Sequence, residues 1–237
     1  MRQRAGQHAG RLTDGPAASA ALTVVQLPPG ASPPDPAGDT HLREHTVARE
    51  QLLQGRFLQV RRDTVRLPDD SHATREYVVH PGAVMIVPMR ADADGLLRVV
   101  LERQYRHPLG RVMLEFPAGK RDGAEDLLLC AQRELREETG YRARQWAHAG
   151  LMHPLVAYSD EFIDIWFARD LIAGERQLDP GEFLDVTSMT LAELLLCCRD
   201  GRITDGKTLV GALWLQNVTS GAWTLDWRTA APLAAAG

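Results

Sequence analysis

Residues 119–141 constrain the fold of this chain more than any other stretch, because they predict one helix that begins after a glycine-containing loop and ends at a glycine. Apolar residues recur there at helical spacing, which predicts a buried stripe made of Leu128, Ala131 and Leu135. Gly140 follows the last turn, where a residue in the left-handed conformation commonly ends a helix. The sequence therefore predicts a helix over about 125–139 that packs against the rest of the protein by one face.

Three glutamates share a face of this helix. At 3.6 residues per turn, Glu137 lies about −60° and Glu138 about +40° around the axis from Glu134. Like charges four residues apart repel, and carboxylates near the carboxyl end oppose the helix dipole by about 0.3 to 1 kcal/mol each. Arg133 can pair with Glu137, and a bound divalent cation would turn the whole cluster into a binding site. The alternative is a solvated acidic face.

The overall charge narrows the class of partner. The chain has 27 Lys and Arg residues against 31 Asp and Glu residues, which leaves a net charge of −4. Non-specific nucleic-acid binding needs a basic footprint, so we expect no nucleic-acid partner. An anionic substrate would have to be held by local arginines or by bound cations.

The cysteines and the apolar runs bear on the compartment. Cys130, Cys197 and Cys198 are odd in number and lack paired CxxC spacing, which favours reduced thiols over disulfides or a zinc site. The longest apolar runs fall far short of the ~18 to 20 residues that a membrane span requires. We therefore expect a cytoplasmic protein with no membrane contact.

Composition and periodicity divide the chain into three parts. Residues 1–40 are rich in Gly, Ala and Pro and predict a disordered tail. Residues 41–80 predict a small antiparallel β unit with strands over 57–66 and 75–79. Residues 81–228 predict an α/β domain, because strands (83–87, 96–101, 112–116, 162–168) alternate with the helix at 125–139 and with further helices (191–199, 208–217). Such interleaving favours a mixed sheet with helices on its faces.

The spacing G-x5-E-x7-R-E-L-x-E-E-x-G-Y, from Gly119 to Tyr141, resembles the signature of the Nudix hydrolase superfamily at every defined position. The resemblance implies a Nudix fold, which is an α/β/α sandwich around a mixed sheet. It also implies hydrolysis of a nucleoside diphosphate linked to another moiety. In that family the metal is Mg²⁺ or Mn²⁺, and the implied ligands here are Glu134 and Glu138, assisted by Glu137, with the carbonyl of Ala118. Arg133 and Glu137 of the same motif also count among the implied catalytic residues.

Five further segments resemble the ADP-ribose pyrophosphatase branch of that superfamily: 75–84, 103–119, 158–161, 178–186 and 203–208. The implied substrate is ADP-ribose. The branch usually has Pro-Gly before the aromatic-Ser-Asp-Glu element, whereas this chain has Val156 and Ala157. GDP-mannose and other nucleoside diphosphate sugars therefore remain alternative substrates, and a non-catalytic nucleotide-sensing module is the alternative of a different class.

The resemblance also implies a catalytic base in a mobile acidic loop. Glu182, in a loop with Pro180 and Gly181, is the predicted base, because a carboxylate on such a loop can approach the attacking water when substrate is bound. Glu161 is the competing candidate.

Five further positions are predicted to contact the substrate. Arg106 offers the bidentate geometry that phosphate oxygens accept, the alternative being a surface arginine. Glu115 is predicted to contact metal or substrate, the alternative being a structural role. By resemblance, the small β unit of a homodimer supplies Arg75 and Glu76 to the partner's site, and Phe57 stacks on adenine unless it is a core residue.

Overall fold

The computed structural model describes residues 38–230, so the tail predicted for 1–40 lies almost wholly outside the described residues. The first structured unit is a three-stranded antiparallel sheet in the order β1-β2-β3, made of β1 (His45–Gln54), β2 (Gln59–Arg66) and β3 (His72–Val79). The antiparallel unit was predicted, but β1 was not. Because β2 begins at Gln59, Phe57 precedes the strand and is 57% exposed, so the core interpretation of Phe57 is wrong.

The second sheet has eight strands and is mixed. Its main path runs β10-β5-β4-β9-β8-β11, with β6 paired to β5 and β7 paired to β4. Only the β4–β9 pair is parallel within residues 38–230. The strands are β4 (Ala83–Ala91), β5 (Leu97–Arg106), β6 (Arg111–Glu115), β7 (Ala118–Lys120), β8 (Tyr141–Met152), β9 (Ile163–Ala173), β10 (Leu184–Thr190) and β11 (Arg228–Thr229).

Three helices cover the two faces of this sheet: α1 (Leu127–Thr139), α2 (Leu191–Arg199) and α3 (Gly206–Thr219). Alternate residues of β4 show the layering, because side chains along a strand point to opposite faces. Val84 and Ile86 pack in a core with α1, whereas Met85 and Val87 pack in a core with α2 and α3. The predicted α/β/α sandwich around a mixed sheet is therefore confirmed.

Local signals set the ends of α1. It begins at Leu127, two residues later than predicted, because the side chain of Asp126 accepts hydrogen bonds from the first free backbone N–H groups of the helix. It ends at Gly140, which adopts the left-handed conformation with φ 76°. Ala131 and Leu135 of the predicted stripe are fully buried, whereas Leu128 is only partly buried.

The three-stranded sheet is tied to the mixed sheet through the segment that follows β8. The backbone N–H of Val78 donates to the carbonyl of Tyr158 (2.9 Å), and the N–H of Asp160 donates to the carbonyl of Val78 (3.3 Å). The Asp160 carboxylate also accepts from the N–H of His80 at 2.7 Å.

All three cysteines carry free thiols. Within residues 38–230, no helix has the length and apolar character needed to cross a membrane.

Candidate active site

The loop before α1 fits closely around the helix because residue 119 has no side chain. A Cβ built on Gly119 would lie 1.9 Å from the carboxyl carbon of Glu134. Next to it, the backbone N–H of Ala118 donates to the Glu138 carboxylate at 3.1 Å. β7 thus lies directly against the acidic face of α1, and the carbonyl predicted to bind metal belongs to a residue already in contact with that face.

Arg133 connects the acidic residues on the outer side of α1. Its guanidinium lies 3.0 Å from Glu125, 2.8 Å from Glu134 and 3.1 Å from Glu137. The predicted pair of Arg133 with Glu137 is therefore confirmed, and Arg133 also pairs with Glu125. Burial acts to lower the pKa of Arg133, but the surrounding carboxylates outweigh it and raise that pKa. Arg136 also contacts Glu137, at 3.2 Å, so the two arginines occupy much of the Glu137 carboxylate.

The inner side of the cluster contains carboxylates whose pKa values are raised by burial and by repulsion between them. Burial raises the pKa of Glu134 to about 7, with repulsion from Glu137 and Glu182 acting in the same direction. Burial also raises the pKa of Glu138 well above its usual range, followed by repulsion from Glu102 and Glu134. Glu102 is fully buried, and its pKa is raised to about 8, above all by burial.

Arg106 forms an ion pair with the buried carboxylate of Glu115 beside this cluster. Arg106 donates two hydrogen bonds of 2.8 Å to the two carboxylate oxygens of Glu115, and the ammonium of Lys207 donates to the same carboxylate. Burial acts to raise the pKa of Glu115, but the two cations prevail and lower it. The Arg106 side chain is 39% exposed, but its guanidinium is held in place by a buried carboxylate.

Asp205 fixes Lys207 within this network. Its carboxylate accepts from the Lys207 ammonium at 3.0 Å while capping α3 through the N–H of Thr208, also at 3.0 Å. The Thr208 hydroxyl accepts in turn from the N–H of Phe116 at 3.0 Å. The amino terminus of α3 therefore positions the Arg106–Glu115 pair from outside the acidic helix.

The two candidate bases lie in different surroundings. Glu182 accepts a hydrogen bond of 3.2 Å from the side chain of Gln104 on β5. Its charge is among those that raise the pKa values of Glu102, Glu134 and Glu138. Glu161 instead lies 3.9 Å from His80. The structure thus brings Glu182, and not Glu161, into the electrostatic neighbourhood of the acidic cluster.

The residues predicted on the small β unit divide into two groups. Phe57 approaches the cluster, because the ammonium of Lys120, the residue after Gly119, lies 4.6 Å from the Phe57 ring centroid. Arg75 and Glu76 are exposed and pair within their own sheet region, Arg75 with Glu44 and Glu76 with Arg62. Both also line a groove of about 240 Å³ together with the segment 156–160.

Glu102 and Lys207 were not predicted from the sequence. Glu102 follows the apolar run Val99–Leu101 of β5, and a carboxylate ending such a run was the available signal. Lys207 lies in the first turn of α3, where the helix dipole disfavours a cation, so a lysine there indicates a nearby anion.

The donor chemistry of the site fits a hard divalent cation. Such ions take carboxylate and carbonyl oxygens, and Glu102, Glu134 and Glu138 present buried carboxylates that repel one another. Within residues 38–230, however, no three His, Cys, Asp or Glu side chains are already grouped as a metal site. The orientation of Glu134 gives one reason, because its carboxylate is turned toward Arg133.

Comparisons with known proteins identify the family of the chain. The family profile of the NUDIX domain matches residues 79–208, and that of the nucleoside diphosphate sugar hydrolase N-terminal domain matches residues 44–78. A methanol dehydrogenase activator from Bacillus methanolicus is 37% identical over 73% of this chain and 92% of its own length. An ADP-ribose pyrophosphatase from Bacillus subtilis is 32% identical over 74% of this chain and 94% of its own length.

A solved structure supports the same fold. The crystal structure of an ADP compounds hydrolase matches with a TM-score of 0.68 and 22% sequence identity, covering 76% of this chain and 97% of the other. The NUDIX profile spans more than half of the chain, including the whole segment from Gly119 to Tyr141. The chain therefore belongs to the Nudix hydrolase family.

Proposed function

We propose that this protein hydrolyses the pyrophosphate bond of a nucleoside diphosphate sugar, with ADP-ribose as substrate and AMP and ribose 5-phosphate as products. The observation that carries the proposal is the cluster of buried, mutually repelling carboxylates beside the fixed guanidinium of Arg106. This arrangement suits a substrate whose phosphates arrive with a divalent cation. The B. subtilis relative, named ADP-ribose pyrophosphatase, supports the choice of ADP-ribose.

Nudix ADP-ribose pyrophosphatases generally use divalent metal ions, and we propose Mg²⁺, with Mn²⁺ as a substitute, for this chain. Glu134 and Glu138 would hold it, assisted by Glu137 and by the carbonyl of Ala118. When bound, the cation polarises the pyrophosphate and neutralises the charge that develops in the transition state. Arg133 contributes by holding Glu137 and by limiting repulsion within the cluster.

The proton from the attacking water is assigned to Glu182. A general base must lie within reach of the water and must be able to change position as substrate binds. Glu182 follows Gly181, which has a positive φ of 90°, and is held at one oxygen by Gln104. Hydrolysis then needs one proton transfer from water to the Glu182 carboxylate as the new P–O bond forms and the bond to the bridging oxygen breaks.

Arg106 and Phe57 are proposed to orient the substrate. Glu115 holds two guanidinium nitrogens of Arg106, which leaves the third to donate to a phosphate oxygen. The exposed ring of Phe57 is free to stack on the adenine base. The contact of Arg106 with a phosphate should make the KM depend on salt concentration. The stacking of Phe57 should make the enzyme prefer some bases over others.

We further propose that the protein acts as a homodimer in which the small β unit of one subunit reaches the site of the other. In support, β1 is exposed along its whole length and has exposed apolar side chains at Leu52 and Leu53. Arg75 and Glu76 would then serve the partner's substrate. Light scattering of the purified protein should give twice the chain mass.

For location we propose the cytoplasm, in keeping with free thiols at Cys130, Cys197 and Cys198.

Two alternatives have observations in their favour. Val156, at the position where the branch usually has proline, is 81% exposed, which leaves room for other sugars such as that of GDP-mannose. The 37% identical relative named as an activator of methanol dehydrogenase favours a role on a partner enzyme. A non-catalytic sensor would not need the glutamates, whereas all three are present on α1.

A substrate panel tests the proposal. Purified protein should be incubated with ADP-ribose, GDP-mannose and ADP-glucose, each with Mg²⁺ and with Mn²⁺, and the nucleoside monophosphate should be quantified. We expect the highest kcat/KM with ADP-ribose. A preference for GDP-mannose would replace the substrate but keep the reaction. Tight binding of ADP-ribose without turnover under all conditions would instead support the sensing role.

A further inference from the structure

One buried carboxylate of the site has no assigned role. Glu102 on β5 is 0% exposed, and neither of its carboxylate oxygens has a hydrogen-bond partner within the described residues. Burying a carboxylate without a partner is unfavourable, and native proteins rarely leave one in that state. A buried carboxylate without hydrogen-bond partners therefore indicates that a ligand binds to it.

The strand geometry fixes the direction of Glu102. Its neighbour Leu101 packs in the core formed with α2 and α3, so Glu102 points to the opposite face, where α1 lies. Across the sheet Glu102 is in register with Glu115 of β6, and side chains so paired share one face. Glu102 therefore belongs to the same polar surface as the carboxylates described above.

The nearby cations Lys207 and Arg106 act to lower the pKa of Glu102, but burial outweighs them. Arg106 and Lys207 both direct their hydrogen bonds to Glu115. Glu102 also repels Glu138, because after burial the charge of Glu102 is the largest cause that raises the pKa of the Glu138 carboxyl. Among the described residues the Glu138 carboxylate accepts one backbone N–H, from Ala118, and the Glu102 carboxylate accepts none, so direct contacts do not supply the positive charge that would stabilise both.

We propose that Glu102 is an additional carboxylate ligand of the divalent cation, supplied by strand β5 rather than by helix α1. The inference rests on the proposed function, since that function supplies the cation. A ligand on β5 would bring the cation to the side of the cluster next to the Arg106–Glu115 pair, where the phosphates are expected. Hard divalent ions accept several carboxylate oxygens, so Glu102 adds to the α1 ligands and does not replace them.

Binding of Mn²⁺ to the substrate-free protein tests the proposal without measuring turnover. Electron paramagnetic resonance of free Mn²⁺ and isothermal titration calorimetry should compare wild type with Glu102→Gln. We expect the variant to lose one equivalent of Mn²⁺ or to bind it at least ~10-fold more weakly. Glu175→Gln, which changes an exposed glutamate, is the matched control and should bind Mn²⁺ as wild type does.

Stability measurements separate a lost ligand from a lost fold. Without metal, Glu102→Gln should melt at or above the wild-type temperature at pH 8, because a neutral amide replaces a buried carboxyl that ionises near that pH. If Glu102→Gln does not fold, Glu102→Val provides the same test with an apolar residue suited to a strand. Equal Mn²⁺ stoichiometry and affinity in the folded variant and in wild type would overturn the proposal.

The outcomes also distinguish this inference from the proposed function. If wild type hydrolyses ADP-ribose while Glu102→Gln binds Mn²⁺ normally, only the role of Glu102 is wrong. If Glu102→Gln weakens Mn²⁺ binding but wild type hydrolyses no nucleotide sugar, the ligand stands and the proposed reaction is wrong. A wild-type protein that binds no Mn²⁺ would overturn both.

Discussion

The carboxylate of Glu134 occupies the space that a side chain at position 119 would need: a Cβ on Gly119 would lie 1.9 Å from its carboxyl carbon. A side chain at this position would therefore displace the Glu134 carboxylate. The loop glycine and the first glutamate of the cluster are 15 residues apart in sequence but form one close-packed unit.

Gly119→Ala should displace the Glu134 carboxylate and lower kcat by about 100-fold, the scale of loss that follows a misplacement of about 1 Å in an active site. Steady-state kinetics with ADP-ribose measure this. Gly206→Ala is the matched control, because a Cβ there meets no atom within 4 Å. Comparable activity in the two variants would show that the contact between Gly119 and Glu134 is unimportant.

Glu182→Gln should lower kcat by about 10² to 10⁴-fold while leaving Mn²⁺ binding unchanged, because it removes the proposed base and none of the proposed metal ligands. Glu161→Gln is the comparison, since Glu161 lies beside His80. Single-turnover rates and Mn²⁺ titrations on both variants decide the assignment. If Glu161→Gln causes the larger loss in the chemical step, the base is Glu161.

Arg106→Lys should raise the KM for ADP-ribose by about 10-fold or more, with a smaller effect on kcat. A lysine retains the charge but loses the forked geometry by which Arg106 contacts Glu115 through two nitrogens and still presents a third. The KM should also become less sensitive to salt. An unchanged KM would assign Arg106 a structural role only.

Without metal, the protein should lose stability as the pH rises. The pKa values of Glu102 and Glu134 are raised to about 8 and about 7, chiefly by burial, whereas unfolded glutamates titrate near ~4.3. Between those limits the folded protein holds protons that the unfolded chain has released, so unfolding becomes more favourable with increasing pH. In chelator, the melting temperature should be lower at pH 8 than at pH 6.

Two comparisons check the origin of that pH effect. The difference between pH 6 and pH 8 should shrink in Glu102→Gln, which lacks one of the two groups. Stabilisation by added Mn²⁺ should be larger at pH 8, because metal binding requires deprotonated carboxylates. A wild-type melting temperature that increases from pH 6 to pH 8 in chelator would contradict the assignment of buried, protonated glutamates.

Local signals allowed much of the architecture to be predicted. The capped helix α1, helix α2 at Leu191–Arg199 and the strand β4 were all expected, because their caps and apolar periods lie within short windows. The strands β1, β8 and β10 were not predicted. Pairing with distant partners stabilises them, as when β10 aligns Leu184 with Gln104, and no local pattern encodes that register.

The same distinction applies to the site. The glutamates of α1 were predicted because one helix presents them together. Glu102 lies on a strand, and only its register with Glu115 shows that it belongs to the site. Lys207 likewise reaches Glu115 from a helix 92 residues further along the chain. Long-range packing thus adds residues to the site that the signature alone does not include.

Release of AMP from ADP-ribose is the most direct test of the central claim. Wild-type protein with Mg²⁺ should yield AMP and ribose 5-phosphate in equal amounts. Glu138→Gln should be slower by about 100-fold or more, the scale expected when one electrostatic element of a site is removed. Its melting temperature without metal should not fall, because the amide oxygen can still accept from the N–H of Ala118. Absence of turnover with ADP-ribose in wild type, or an unchanged rate in Glu138→Gln, would contradict the account.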